Sequence, residues 1–333
     1  MGIFVQIRYN YANRVKRYHL SLSKAAQTDK YLPEGVIKMF EKFIVATDIS
    51  KDFSISMSCI GGLKPFGAQK CLLLQFRDLN EIIDFSGVYS NELLYEYEKM
   101  LSRQKGQIEK EGFEVETRIL PGFSTAQINR ICEEEGYSLT VVASRKYSSS
   151  GEIFFGRIAN DLIHSTQYPV LQIRTEDPEG VTEEDDSERN LLDISSHVLY
   201  PTDFSDNADM AFRYIKQMAV GSVEKITLLH VQDKSRLSPH LESRIEEFNR
   251  LDEARLKGMK DMLEREGKAE VGTIVKYGSP SLEILRLVED LEVNLVVMGS
   301  QGRGYVKEFF LGSVSQNIAR LCPSSVLLIP TRR

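Results

Sequence analysis

The chain has 333 residues, too long for one ordinary domain and about right for two, and its 42% hydrophobic and 27% charged residues suit a globular protein. No apolar run approaches the roughly 18–20 residues of a membrane span, and the opening MGIFVQIRYN lacks the apolar core and cleavage site of a secretory leader. The net charge of −6 and four scattered cysteines (Cys59, Cys71, Cys132, Cys322; no CxxC pair) argue against a nucleic-acid binder, a disulfide scaffold and a zinc ribbon, and predict a cytoplasmic protein.

In chain order, residues 1–40 form a basic arm, with seven Lys or Arg against Asp29 and Glu34. A buried strand follows in FIVATD (Phe43 to Asp48), and IGGLKPFG (Ile60 to Gly67) then breaks helical periodicity. CLLLQF (Cys71 to Phe76) and VETRIL (Val115 to Leu120) are the next strands. Ser124, with Gln127 three residues later, has the spacing of a capping box and predicts a helix start. LTVVAS (Leu139 to Ser144) and PVLQI (Pro169 to Ile173) complete five strands. Thr175 to Asn190 carries eight acids against Arg189 and reads as a solvated linker. Beyond it come strands in VLYPT, ITLLHV, VGTIVKY, LVVMG and VLLI. Helices are predicted after Ser205-Asp206, over about His240 to Glu266, and from Ser279-Pro280, where serine caps and proline enters the first turn.

The two sides of the linker match. FIVATD parallels HVLYPTD, CLLLQF parallels ITLLHV, LTVVAS parallels NLVVMGS, and PVLQI parallels SVLLI. The offset is 155 from Asp48 to Asp203, and 156 from Gly122 to Gly278 and from Val170 to Val326. So constant an offset marks an internal duplication. Strands that are apolar throughout need cover on both faces, which implies parallel sheets. The expected fold is therefore α/β: two tandem, doubly wound, five-stranded parallel sheets with helices on both faces. The domains are predicted at 41–174 and 191–333, with 1–40 as an extension and 175–190 as the linker.

The passage with chemical content is VVMGSQGRGYVKEFFLGSVSQNIARLCPSSVLLIP (Val296 to Pro330). A buried strand ends at Met298, then Gly299, Gly302 and Gly304 follow in a loop, and Gly312-Ser313 opens a helix running to about Leu321. Glycines allow close backbone approach to a phosphate, and a helix start offers free N–H groups and the positive end of its dipole. A turn that merely needs glycines accounts for the same pattern. The spacing Gly299-x2-Gly302-x9-Gly312-Ser313, with YPTDFSDNA (Tyr200 to Ala208), LLHV (Leu228 to Val231) and GSPSLEIL (Gly278 to Leu285), resembles the ATP-binding branch of the universal stress protein family, in tandem.

That resemblance implies ATP or AMP in the second domain, with Mg²⁺ held, if present, through the phosphates. It places the adenine at Asp203 and Val231, with Pro201 and Thr202 beside the ribose. Gly299, Gly302, Gly312 and Ser313 take ribose and phosphates, with Ser315 as a third hydroxyl. Read by itself, Asp203 serves equally as a cap for the following helix with Ser205. The family also pairs its last strands across a two-fold, so PVLQI and SVLLIP are expected to meet within the chain. Two chains are expected to associate further as a homodimer, with an unnamed protein partner.

The first half departs from the signature. Ser144 and Tyr147 stand where Gly299 and Gly302 belong, Arg157 follows Gly156 in place of serine, and the loop reads one residue shorter. It is expected to bind no nucleotide. Five histidines show no ligand spacing, and His197 and His230 read as core or edge residues on strands. The expected function is a stress-response regulator that binds an adenine nucleotide and has no catalytic residues or metal site. The alternatives are slow ATP hydrolysis or phosphotransfer at the same site, or an interaction module without nucleotide.

Overall fold

The computed structural model describes residues 39–48, 57–77, 91–146, 153–155, 157–175, 194–221, 223–233, 245–301 and 311–331. The basic arm to residue 38 and the acidic linker from residue 176 lie outside the described residues, as do Gly302, Gly304, Tyr147 and Gly156.

The first half contains β1 (Lys42–Asp48), a 3₁₀ helix (Met57–Phe66), β2 (Lys70–Arg77), α1 (Asn91–Lys110) and β3 (Glu114–Pro121). It continues with α2 (Thr125–Glu135), β4 (Leu139–Lys146), β5 (Ile153–Phe155), α3 (Arg157–Ser165) and β6 (Val170–Thr175). The second half contains β7 (His197–Pro201), α4 (Asp206–Val220), β8 (Lys225–Asp233), α5 (Ile245–Glu266) and β9 (Glu270–Gly278). It ends with α6 (Pro280–Asp290), β10 (Leu295–Gly299), α7 (Ser313–Leu321) and β11 (Ser325–Ile329).

The strands join in one sheet, ordered β3-β2-β1-β4-β6-β11-β10-β7-β8-β9, with β5 paired to β4 off that path. Within each half the neighbours on that path run parallel. The halves meet through β6 and β11, which run antiparallel with Leu171 opposite Leu327. Those two leucines stand at equivalent positions of the repeat, so a pseudo-two-fold passes between them. Each half thereby covers the other's edge strand, removing two unpaired edges.

Period-two alternation sorts the side chains of these strands into two layers. Val198, Tyr200, Ile226 and Leu228 join the layer under α4 and α5, with Phe212, Ile215, Leu256 and Met259. Leu199, Leu229, Val296 and Met298 join the opposite layer under α6 and α7, with Ile284, Leu287 and Ile318. Both layers run through both halves. The helices thus lie on both faces, as the apolar strand runs predict.

Three local expectations are corrected. Ser124 takes the N-cap position of α2, but its side chain makes no cap hydrogen bond, and Gln127 Oε1 is buried without a partner among the described residues. The capping box is therefore not formed. The segment around IGGLKPFG is a 3₁₀ helix of ten residues with Pro65 inside it, unusually long for that tight geometry.

The third correction concerns the alignment of the halves. Phe43 in β1 pairs Leu139 in β4, and Val198 in β7 pairs Leu295 in β10. Val141 and Val297 point into one layer, while Val142 and Met298 point into the other. The offset from β4 to β10 is therefore 156, the same as from β6 to β11. Ala143, not Ser144, is the counterpart of Gly299, and Ser144 is the counterpart of Ser300. By the same count Lys146 answers to Gly302, Gly156 to Gly312, and the first-half loop is not shorter. A one-residue slip would send every side chain of β4 to the wrong face.

Candidate functional site

The strand order of the second half reverses direction between β7 and β10, so the crevice beyond their carboxyl ends is where a doubly wound sheet takes a ligand. Pro201 ends β7, and the Thr202 amide donates to Leu229 O at 2.8 Å, tying the turn to β8. Thr202 is buried, whereas Asp203 is half-buried. The Ser205 amide donates to Asp203 Oδ1 at 3.0 Å, and the Ala208 amide donates to Ser205 Oγ at 3.2 Å. Ser205 is thus the cap of α4, and Asp203 shapes the turn in front of it. Both sequence readings of Asp203 place it at the crevice; the capping role belongs to its neighbour.

Between them, Phe204 adopts φ 56, a left-handed conformation that a bulky residue rarely takes. Its amide donates to Thr202 Oγ1 at 3.0 Å, its ring lies 4.6 Å from the His230 ring, and the Arg255 guanidinium sits 5.0 Å from its centroid. His230 in turn bonds Thr202 O through Nδ1 at 2.7 Å and approaches Asp252 Oδ2 through Nε2 at 3.4 Å. His230 therefore braces this turn. His197, hydrogen-bonded to Leu291 O at 3.0 Å and Thr227 Oγ1 at 2.8 Å, is a satisfied strand histidine whose pKa burial lowers. Val231 is half-buried beside the turn, on the face opposite His230.

Three carboxylates gather where α4 begins. Asp209 is pushed up to about 6, first by burial and then by the charges of Asp206 and Asp203. The turn before α4 is thus electrostatically strained against a further negative charge.

On the β10 side, Gly299 is required by packing. A Cβ there would stand 2.4 Å from Asn207 Oδ1 and 3.1 Å from the Asn207 backbone. Buried Asn207 accepts from the Gln301 amide at 2.8 Å and donates to Ile329 O at 3.1 Å. It clamps the starting end of α4 to the chain ends beyond β10 and β11. Nothing in the sequence singled out Asn207 or Phe204; the pairing of a helix-start asparagine with a strand-end glycine was the one available signal.

The loop returns at Leu311, where the Gly312 amide donates to Ser300 O at 2.8 Å. Gly312 is the N-cap of α7 at φ −63 and ψ 149, and it offers no side chain to the first-turn N–H groups. Ser313 is exposed at that start, its hydroxyl on the surface. Ser315 differs from expectation: it is buried, and its hydroxyl donates to Gly299 O at 2.9 Å. It positions the end of β10 and has no proton left to offer a ligand.

The corresponding place in the first half is the end of β4. There β4 runs on to Lys146 and turns back through β5, with Ser144 opposite Phe155 and Lys146 opposite Ile153. The serine at position 315 becomes Ala159, and Ala143 carries the Cβ that Gly299 lacks. Among the described residues, no three His, Cys, Asp or Glu side chains are grouped for a metal ion, and no helix is long and apolar enough to cross a membrane.

Residues 82–174 and 195–330 match the model of the universal stress protein family, which is more than half of the chain. A universal stress protein of Methanocaldococcus jannaschii is 32% identical over 151 residues, spanning 40% of this chain and 93% of the relative. The crystal structure of a universal stress protein from Archaeoglobus fulgidus DSM 4304 matches with TM-score 0.68 and 24% identity, over 88% of this chain and 99% of that one. The structure of a functionally unknown protein from Pseudomonas aeruginosa PAO1 matches with TM-score 0.54 and 16% identity, over 89% and 94%. The two structures share the tandem-length α/β fold. The chain belongs to the universal stress protein family.

Proposed function

We propose that this universal stress protein family member is a regulatory nucleotide-binding protein that holds one adenine nucleotide, ATP or AMP, in the crevice between β7 and β10. The observation that carries the reading is the start of α7. Its N-cap is a glycine with no capping side chain, an exposed serine hydroxyl stands beside it, and the Gly312 amide holds this helix start to Ser300 O, just past the end of β10. Such a helix start fits a phosphate group, because orphan amide donors and the dipole both favour an anion there.

Asp203, two residues past β7, and Val231, near the end of β8, would take the adenine. One carboxylate oxygen of Asp203 accepts from the Ser205 amide, and a carboxylate is the acceptor type that an exocyclic amine would need. Pro201 and Thr202 lie beside it. Gly302 would complete the phosphate loop. Ser315 acts through Gly299 rather than on the ligand. Magnesium, when bound, neutralises phosphate charge, and no carboxylate cluster is needed to hold it if the phosphates do so.

The test is direct. The purified full chain, denatured and analysed by mass spectrometry, should release adenine nucleotide, and the stripped chain should rebind ATP in calorimetry. Steady release of ADP and phosphate by the rebound protein would move the reading to a slow ATPase. Absence of both retained and rebound nucleotide would favour the interaction module.

A further inference from the structure

On one side of the pseudo-two-fold, Arg174, just past the pairing with β11, inserts its side chain between the halves. Its Nε donates to Cys322 O at 2.8 Å, one Nη donates to Ala319 O and the other to Ser144 Oγ. The two carbonyls are the last-turn acceptors of α7, groups that a helix end leaves without intrahelical partners. The guanidinium fork thus bridges a helix C-terminus, where the dipole favours a cation, and a strand-end serine.

The repeat offset of 156 gives the mate of each part. Arg174 corresponds to Pro330, Ser144 to Ser300, Ala319 to Ile163, and Cys322 to Thr166. The backbone matches as well: Cys322 N donates to Ile318 O at 2.9 Å, and Thr166 N donates to Leu162 O at 3.0 Å. At the mate position lies a cavity of about 200 Å³, walled by Ile163, His164, Thr166, Gln167, Ser300 and Pro330 among others. The helix C-terminus and the serine are both retained. The arginine that would fill the space has become a proline, which has neither the reach nor a donor.

We propose that this cavity binds a guanidinium group on a short aliphatic stem, supplied from outside the fold where Arg174 supplies it from within at the mate. The acceptors seating Arg174 are neutral carbonyl and hydroxyl oxygens, so the seat needs no carboxylate. Burial lowers the Arg174 pKa only to about 10, which leaves a guanidinium charged there at neutral pH. The cavity also takes in Gln301 and Leu311, neighbours of the proposed phosphate loop, but the guanidinium seat is defined without the nucleotide reading. An alkylammonium lacks the planar fork and would lose at least one of the paired hydrogen bonds, about a tenfold loss in affinity.

Calorimetric titration of the full chain with agmatine tests this, with putrescine as the ammonium control and a blocked arginine tripeptide as the protein-like source. We expect one saturable agmatine site per chain and at least roughly tenfold weaker putrescine. Binding by agmatine assigns a free guanidine as a ligand, and binding by the tripeptide alone assigns a protein arginine; failure of both overturns the proposal. Equal binding of putrescine also overturns it. Pro330→Arg should fill the cavity from within and abolish binding, while Pro330→Ala should keep it. Should Pro330→Arg fail to fold by circular dichroism, Arg174→Ala decides: opening the mate seat should raise the stoichiometry to two, and a value still at one or below would overturn the equivalence.

Discussion

A side chain at position 299 would begin 2.4 Å from Asn207 Oδ1, so the glycine that ends β10 and the asparagine that begins α4 are matched to each other. Gly299→Ala is expected to cost about 1–3 kcal/mol through overpacking. Asn207→Ala is expected to cost about as much by orphaning the Gln301 amide, while Ile329 O keeps the Ser300 amide. Because each change relieves or removes what the other disturbs, the double variant should be less destabilised than the sum. Urea unfolding of the four proteins measures this, and strict additivity would show that the two residues do not interact.

Gly312 plays a different part from Gly299. At φ −63 and ψ 149 its backbone suits any residue. Gly312→Val should therefore leave the fold intact, with less than about 1 kcal/mol lost at the cap. A branched side chain at the mouth of the first-turn amides should still weaken ATP at least tenfold in calorimetry. Unchanged affinity would remove α7 from the site.

One nucleotide per chain is the expected stoichiometry. In the first half, β4 continues into a hairpin with β5, and Ala143 stands at the position of Gly299. Equilibrium dialysis should saturate at one ATP per chain. Saturation at two equivalent sites would mean that the hairpin is compatible with a phosphate after all.

Ligand linkage gives an independent readout. ATP at about 100 times its dissociation constant should add roughly 2.7 kcal/mol to the native state, visible as a raised Tm. At the same ATP concentration the gain should fall to about 1.4 kcal/mol or less in Gly312→Val but persist in full in Arg157→Ser, because position 157 belongs to the first-half hairpin side. A melting curve indifferent to ATP in the parent chain would contradict nucleotide binding.

Asp209 makes stability depend on pH. Its folded pKa is raised to about 6, from an ordinary 3.8, chiefly by burial and then by Asp206 and Asp203. The folded state thus binds the proton more tightly, and its contribution is present below about pH 4 and lost as pH rises through about 6. Asp209→Asn should raise the Tm at pH 7.5 and change it little at pH 4. An equal shift at both values would point to an effect other than ionisation.

Much of the architecture was legible because burial is written locally. Apolar runs such as ITLLHV and LVVMG marked strands covered on both faces, and a near-constant offset exposed the duplication. The pairing of β6 with β11 was expected from the family resemblance, and it covers two sheet edges. Asp203, Val231, Gly299, Gly312 and Ser313 were named by motif, and their part in a nucleotide site is the proposal made above.

What tertiary structure alone decided are the partners and the register. The motif comparison set Ser144 opposite Gly299; the pairing of Phe43 with Leu139 and of Val198 with Leu295 carries the offset of 156 through this strand and puts Ala143 there. Faces alternate every residue, and a gap elsewhere in a repeat hides a shift of one. The hydroxyl of Ser315, expected on the ligand, went to Gly299 O sixteen residues away. Asn207 reached Gln301 across 94 residues of sequence. Apolar periodicity records which side of a segment is buried, but a hydrogen bond depends on which distant segment arrives there, and in this chain that is set by the packing of α4 and α7 against the ends of β10 and β11.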